Sequence, residues 1–496
     1  MPAVVVAVFF VLGLILAAHA ALQMSLAVAA QRRRSEPLRA IEESDLPTVT
    51  VQLPLYNERY VVEQLLDSVG ELRYPRDRLE IQVLDDSTDE TTAIAAAKVA
   101  ELAQSGLDVK VLHREEREGY KAGALEEGLA RAQGELIAVF DADFMPSPGF
   151  LLEAVPLFAE EDVGVVQGRW GHANRLHSGL TRLQALMLDA HFGVEQEGRN
   201  ALGCFFNFNG SGGIWRAAAI EDAGGWTADT LAEDLNLSYR AQLRGWRFVY
   251  RDDIVVPAEL PTALCALRSQ QFRWMKGQTQ NARLLLPAIL RAGLSRRVKL
   301  HACAHLLQGV LYPVILLEAA LAVLVAALVA HGLVPKWTLF NPALAAFVLL
   351  APIYYLPYRR IQCRGPAYFV AQYLPFLVLA TGLTVHNCVA VASGLRSSGG
   401  EFVRTPKQGL RRTSRPGSGY AAAGVAGIAY LELAVWFALA SALVWAAASG
   451  ILYLLWLHFL LLGGLTYVIG RTLTESVRRE ARQVRVLAEA GAPSEC

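Results

Sequence analysis

The chain has 496 residues, of which 53% are hydrophobic and 19% charged, and its 46 basic residues balance 46 acidic ones. A mean hydropathy of +0.30 excludes an ordinary soluble protein, and zero net charge gives no electrostatic reason to expect nucleic acid as a partner. The six cysteines (Cys204, Cys265, Cys303, Cys363, Cys388 and Cys496) lack metal-like spacing, so reduced, incidental thiols are expected.

Residues 3–30 are apolar and long enough to span a bilayer, and they run into Arg32-Arg33-Arg34. A signal peptide carries its positive charge ahead of a shorter apolar core, so a retained anchor is expected. The positive-inside rule then puts the N-terminus outside and the following segment in the cytoplasm.

Residues 48–53 form a short β-branched strand ending in Pro54-Leu55-Tyr56-Asn57-Glu58. The helical spacing of Val61, Leu65, Leu66 and Val69 places a helix from about residue 60. Residues 80–84 read as a second buried strand closing on Asp85-Asp86-Ser87-Thr88-Asp89, with Ser87 or Thr88 able to cap the Ala-rich helix that follows. Residues 109–112 supply a third strand, followed by Arg117-Glu118-Gly119-Tyr120-Lys121 and another helix. Residues 136–140 are an unbroken apolar run, suited to a strand buried on both faces, which empties into Asp141-Ala142-Asp143.

This β-α-β-α-β-α-β pattern implies an α/β fold with a mostly parallel sheet and right-handed crossovers. Ligands bind such sheets outside the carboxyl ends of the strands. Two carboxylates one residue apart there can share a divalent cation, which in turn can hold a diphosphate. An acidic turn would explain a lone Asp-x-Asp equally well, but here successive strands end in polar, acidic or glycine-rich turns on one edge. The absence of G-x-G-x-x-G after the first strand and of G-x-x-x-x-G-K-[ST] disfavours dinucleotide redox chemistry and P-loop hydrolysis.

Further on, Phe206-Asn207-Phe208-Asn209-Gly210-Ser211 and Ala223-Gly224-Gly225-Trp226 precede Leu231-Ala232-Glu233-Asp234. Glu233 and Asp234 open a helix, where acids suit the dipole; their place after a Gly/Trp-rich loop also suits a catalytic carboxylate. Gln270, Arg273 and Trp274 fall on an amphipathic stretch whose bland reading is an interfacial helix with snorkelling cations. Long apolar runs follow at 302–332, 340–358, 366–393, 421–448 and 451–470. The run 366–393 lies between two basic flanks and holds Pro366, Pro375, His386 and Asn387, so it is read as one or two helices in the cytoplasmic interface. About five spans remain, followed by a cytoplasmic tail.

In order, Pro54-Leu-Tyr-Asn-Glu58, Asp85-Asp86, Asp141-Ala-Asp143, Ala232-Glu233-Asp234 and Gln270-Gln-Phe-Arg273-Trp274 resemble the processive family 2 glycosyltransferases of the cellulose synthase and cellulose synthase-like group. The resemblance covers about residues 48–280. The wording of residues 83–89, 119–125, 208–210 and 224–226 is similar to that of mannan and glucomannan synthases and their bacterial relatives. It implies a Rossmann-like transferase domain of GT-A type inserted between transmembrane helices. The expected division is an anchor at 1–31, the cytoplasmic transferase domain at 45–260 and interfacial helices with QxxRW at 261–300. A transmembrane pair at 301–358, interfacial helices and a gate-like loop at 359–420, a second pair at 421–470 and a tail at 471–496 complete it.

The implied reaction is inverting transfer of a hexose from GDP-mannose, or from UDP- or GDP-glucose, to a growing β-linked polysaccharide, with export through the protein's own spans. Asp141 and Asp143 would hold Mg²⁺ or Mn²⁺. Pro54, Tyr56, Asn57, Glu58, Asp85, Asp86, Lys121 and Asp141 would bind the donor, joined by Thr405 and Lys407 from a stretch resembling the gating loop F-x-V-T-x-K. Asp234, beside Glu233, would be the base. Phe208, Asn209, Gly210, Gln270, Arg273 and Trp274 would meet the acceptor. The chain departs from the pattern at Ala232, usually Thr, a position that does not carry the proton-transfer chemistry, and at Arg404, usually Val. Transfer of one sugar to a lipid such as a ceramide or polyprenyl phosphate is the alternative. A nucleotide-sugar sensor or a transporter fits the spans but leaves the catalytic set unexplained.

Overall fold

A computed structural model describes residues 2–33, 42–400, 404, 407, 409, 425–451 and 455–490. Its α/β part is built on seven strands: β1 (Val49–Leu55), β2 (Leu79–Asp85), β3 (Asp108–His113), β4 (Leu136–Val139), β5 (Val163–His172), β6 (Gly213–Arg216) and β7 (Arg247–Ala258). Their spatial order is β3-β2-β1-β4-β6-β5-β7. β1 runs parallel to β2 and β4, and β2 to β3, as strands joined through helices require. The expectation of a mostly parallel sheet needs one amendment. β6 is antiparallel to both β4 and β5, while β5 and β7 are parallel.

Strand order reverses beside β1, because β2 and β3 extend to one side and β4 to the other. The carboxyl ends of β1 and β4 therefore part at a topological switch point, where a crevice opens. Alternation along β4 divides the core between the two faces. Leu136 and Ala138 pack in the layer of Val62, Leu66 and Phe150, whereas Ile137 and Val139 pack in that of Leu125, Trp215 and Leu237.

The helix Thr91–Gln104 begins beyond both residues expected to cap it. Asp89 holds its first turn instead, Oδ1 accepting from Thr91 N at 3.0 Å. Ser87 and Thr88 tie two strand ends together: Asn57 N donates to Ser87 Oγ at 2.8 Å, and Thr88 N donates to Asn57 Oδ1 at 2.8 Å. Asn57 does this with φ of +56°, a left-handed conformation that Asn tolerates better than most residues.

Among the described residues, five helices are long and apolar enough to cross a membrane: Pro2–Arg32, Gln308–Ala330, Lys336–Gln362, Gly427–Ala448 and Trp456–Val477. Val4, Leu14, Val348, Phe437 and Val444 on them face outward, a surface suited to lipid, and the chain is a membrane protein. The segment read as interfacial is two helices, Pro366–Gly382 and Thr384–Arg396, bent by 45°. At the bend a Cβ on Gly382 would stand 2.3 Å from Gly464 O, so small residues permit backbone contact there. The helix Pro2–Arg32 also seats the α/β part. A Cβ on Gly198 would stand 2.4 Å from Leu26 O, and Arg33 Nη1 donates to Tyr250 O at 3.3 Å.

Candidate active site

The pocket at the ends of β1 and β4 gathers side chains from widely separated stretches of sequence, between Pro54 and Lys407. On the β1 and β2 side, Tyr56, Glu58 and Asp86 line it with Arg117. Arg114 grips Asp86 in a fork, Nε to Oδ1 and Nη2 to Oδ2 both at 2.7 Å, and the Arg117 guanidinium stacks 3.5 Å from the centre of the Tyr56 ring. The result is a flat aromatic and cationic wall with a fixed acid.

Asp141 and Asp143 follow β4. Lys121, at the start of the helix Tyr120–Leu129, places Nζ 2.5 Å from Asp141 Oδ1 and 2.7 Å from Gly210 O. Burial works against the Lys121 charge, but Asp141 and Glu233 outweigh it and hold its pKa above the ordinary value. Lys407 Nζ lies 2.5 Å from Asp143 Oδ1, and Asp143 Oδ2 accepts from Glu259 N at 3.1 Å. Both carboxylates thus already draw positive charge into the crevice. They are hard oxygen donors suited to Mg²⁺ or Mn²⁺, and no group of three or more His, Cys, Asp or Glu able to hold a metal occurs among the described residues. Further oxygens would have to come from a bound diphosphate and water, the usual arrangement for Mg²⁺.

Across Lys121 stands Asp234, in the first turn of Glu233–Leu243. Burial first, and Glu233 second, push Asp234 up to about 7, with Lys121 opposing. Gly210, at φ +79°, passes so close that a Cβ there would be 2.9 Å from Asp234 Oδ2. The loop before Asp234 is held by the helix Leu264–Arg291. Gln280 Oε1 accepts from Leu231 N at 2.9 Å, Asn281 Nδ2 donates to Ala232 O at 2.9 Å, and a Cβ on Gly277 would meet Ala232 N at 2.8 Å. Gln270, Arg273 and Trp274 project from the same helix into the pocket, one turn apart and therefore on one face.

Most of the expected site residues meet here: Pro54, Tyr56, Glu58, Asp86, Lys121, Asp141, Asp143, Asn209, Gly210, Glu233, Asp234, Gln270, Arg273, Trp274 and Lys407 all line the pocket. Three do not. Asp85 is fully buried, bonded to Ser87 N at 3.0 Å, Thr92 Oγ1 at 2.7 Å and His113 Nδ1 at 2.9 Å, so it builds the turn and does not reach a donor. Asn57 joins the β1 and β2 ends as described above. Phe208 is core, its ring 5.6 Å from Trp215 and 6.4 Å from Trp226, and it cannot touch an acceptor. Thr405 lies outside the described residues.

Sequence reasoning left Arg117, Trp170 and Glu259 without roles, and all three line the pocket. Glu259 had a signal, since it follows the long strand β7 immediately. Arg404 was noted only as a departure. Its guanidinium forks onto Glu58, Nε to Oε1 and Nη2 to Oε2 both at 2.7 Å. Burial pushes Glu58 up to about 7, with Arg404 opposing.

Residues 47–277 match the model of the family described as glycosyltransferase like family 2. Over this segment the chain is similar to family 2 glycosyltransferases. Similar curated proteins include glucomannan 4-beta-mannosyltransferase 2 of Arabidopsis thaliana, 44% identical over 269 residues, which are 53% of this chain and 50% of the relative. Probable glucomannan 4-beta-mannosyltransferase 3 of Oryza sativa subsp. japonica is 46% identical over 236 residues, 47% of this chain and 43% of the relative. The chain spans about half the length of the curated relatives it matches. Among solved structures, a mannosyltransferase from Pyrobaculum calidifontis in complex with GDP-Man and Mn²⁺ is similar with a TM-score of 0.55 at 24% identity, over 78% of this chain and 99% of that chain. The likeness is one of fold, and the transferase domain has the GT-A fold.

Proposed function

We propose that the chain is a membrane-embedded inverting hexosyltransferase that moves mannose from GDP-mannose onto a growing β-linked polysaccharide. The observation that carries the reading is that Asp141, Lys121 and Asp234 line one pocket, with Lys121 Nζ 2.5 Å from Asp141 Oδ1 and both Lys121 and Asp234 beside Gly210. The Asp141 carboxylate suits a diphosphate and its cation, and Asp234 an attacking hydroxyl. The identity to glucomannan mannosyltransferases supports mannose as the sugar, and the fold shared with a GDP-Man complex supports the donor. Glucose from UDP- or GDP-glucose uses the same geometry.

Tyr56, Arg117 and Asp86 take the nucleoside on the flat wall, with Glu58 beneath it. Asp141 and Asp143 would hold Mg²⁺ or Mn²⁺, whose charge would offset that of the donor diphosphate and of the leaving nucleotide. Lys121 and Lys407 add positive charge on the same side. Trp274 stacks on the terminal acceptor sugar, while Asn209, Gly210, Gln270 and Arg273 fix its orientation. Asp234 Oδ2 takes the proton of the acceptor hydroxyl as that oxygen attacks the anomeric carbon opposite the leaving phosphate. One displacement inverts the configuration. A base so placed contributes about 10²–10⁴-fold. The transferase domain lies on the cytoplasmic side, with the N-terminus outside and the polymer leaving through the spans.

The test of the donor is nucleotide release from GDP-mannose, GDP-glucose and UDP-glucose by the purified protein. GDP release at least tenfold faster from GDP-mannose than from GDP-glucose is expected. Preference for UDP-glucose would overturn the mannosyl assignment.

A further inference from the structure

Beyond the pocket, a chain of polar side chains runs from Asn209 towards the first membrane helix. His191 Nε2 lies 3.0 Å from Asn209 Oδ1, and His191 Nδ1 lies 3.0 Å from Glu195 Oε2. Gln23, in the helix Pro2–Arg32, donates through Nε2 to Glu195 Oε1 at 3.2 Å. Arg199 Nη1 reaches Glu195 Oε2 at 3.5 Å. The turn His191–Gln196 is wound as a π-helix, a geometry concentrated at functional sites, and it lines up His191 and Glu195 on one side.

Two features distinguish this network from a helix tether. First, it is not closed upon itself. Gln23 must turn Nε2 to the carboxylate, which leaves its Oε1 buried with no hydrogen-bond partner, and Asn207 Oδ1 is buried and unpartnered in the same way. An unmet buried acceptor costs free energy that a hydroxyl donor would recover. Second, His191 and Glu195 keep 26% and 15% of their side-chain surface accessible although they lie between the membrane helix and the transferase domain. They are therefore only partly enclosed. Burial raises the Glu195 pKa, but Arg199 and His191 outweigh it and hold the acid well below its ordinary range, so it remains a charged acceptor.

From this we infer that Gln23, His191 and Glu195 form a glycan subsite next to the one beside Trp274, binding hydroxyls of the acceptor sugar that precedes the terminal one. The ligand class is a neutral polyhydroxylated chain. The first membrane helix is then part of the acceptor site as well as an anchor. This inference rests on the reading of the chain as a polysaccharide-extending transferase.

The test compares wild type with Gln23→Met, which keeps side-chain volume and leaves Glu195, His191 and Arg199 in place, and with Glu195→Gln. Each is assayed in nanodiscs with GDP-mannose and β-1,4-linked mannose oligosaccharides, from the dimer to the hexamer. In wild type, KM should fall as the acceptor lengthens. Both variants should keep acceptor-free GDP release within about twofold, while KM for the longer acceptors rises about tenfold and the benefit of length disappears. Wild-type elongation with an unchanged length profile in Gln23→Met would overturn the subsite alone. Wild-type protein that extends no oligosaccharide would overturn the functional reading, and the subsite with it.

Discussion

In the mechanism proposed above, the chemistry turns on Asp234. Its pKa, raised to about 7 by burial and by Glu233, has two consequences of opposite sense. As a base it works only when ionised, so the rate of sugar transfer should climb with pH through about 7 and level off above it, read as nucleotide release across a pH series. For stability, a raised folded-state pKa contributes fully below the unfolded value and is lost as pH rises through about 7. Ligand-free protein should therefore melt at a lower temperature at pH 8 than at pH 5 through this group. Asp234→Asn should reduce transfer by at least about 10²-fold, flatten that part of the stability profile, and leave donor binding by calorimetry within a few-fold. Activity in Asp234→Asn near the wild-type level would remove Asp234 as base. Some of this was legible in the chain: an apolar run emptying into two carboxylates marks a strand end whatever the rest of the fold does. Which acid of Asp85-Asp86 faces the crevice was not, because neighbouring side chains at a strand end point to opposite sides. Phe208 was misplaced for the same reason, adjacent to Asn209 yet turned into the core.

Between elements, the decisive contact is the helix Leu264–Arg291 against the loop that presents Asp234. Gly277 is small because Ala232 is there. Gly277→Val should force the two apart, and misplacement by about 1 Å costs on the order of 10²-fold in turnover with donor affinity little changed. The same helix is bound to the membrane region by Arg268. Its Nη2 and Nη1 lie 2.9 and 3.2 Å from the two oxygens of Glu432, and both residues are buried. Glu432→Gln leaves a buried guanidinium without its countercharge and should destabilise the protein by about 3–5 kcal/mol, seen as a lowered melting temperature in detergent. A double variant, Arg268→Met with Glu432→Leu, should recover most of that loss. Arg268 and Glu432 are 164 positions apart, and no local spacing announces their contact. The order β1 to β4 was readable because helices alternate with apolar strands. The four residues of β6 were not, since Gly-Ile-Trp-Arg reads equally well as part of a glycine-rich loop.

At the scale of the whole molecule, the GT-A domain packs directly on the candidate spans found among the described residues, with Gly198 against Leu26 and Arg268 against Glu432. The candidate spans were legible from hydropathy alone, but the seat of the domain depends on Gly198 against Leu26 and on Glu197, whose Oε1 lies 3.5 Å from Arg33 Nη1, and these resemble any surface helix in sequence. Cys363 is the exposed cysteine among those described. The proposed orientation, with the domain cytoplasmic, predicts that a membrane-impermeant maleimide labels Cys363 only after the membrane is opened, whereas an N-terminal tag is reached from outside. The measurement that tests the central claim most directly is the size and anomeric configuration of the product made by the purified protein from GDP-mannose with Mn²⁺ or Mg²⁺. The account predicts a β-linked polymer that a β-mannanase degrades and that Asp234→Asn does not make. A single-sugar glycolipid, or an α-linked product, would contradict it.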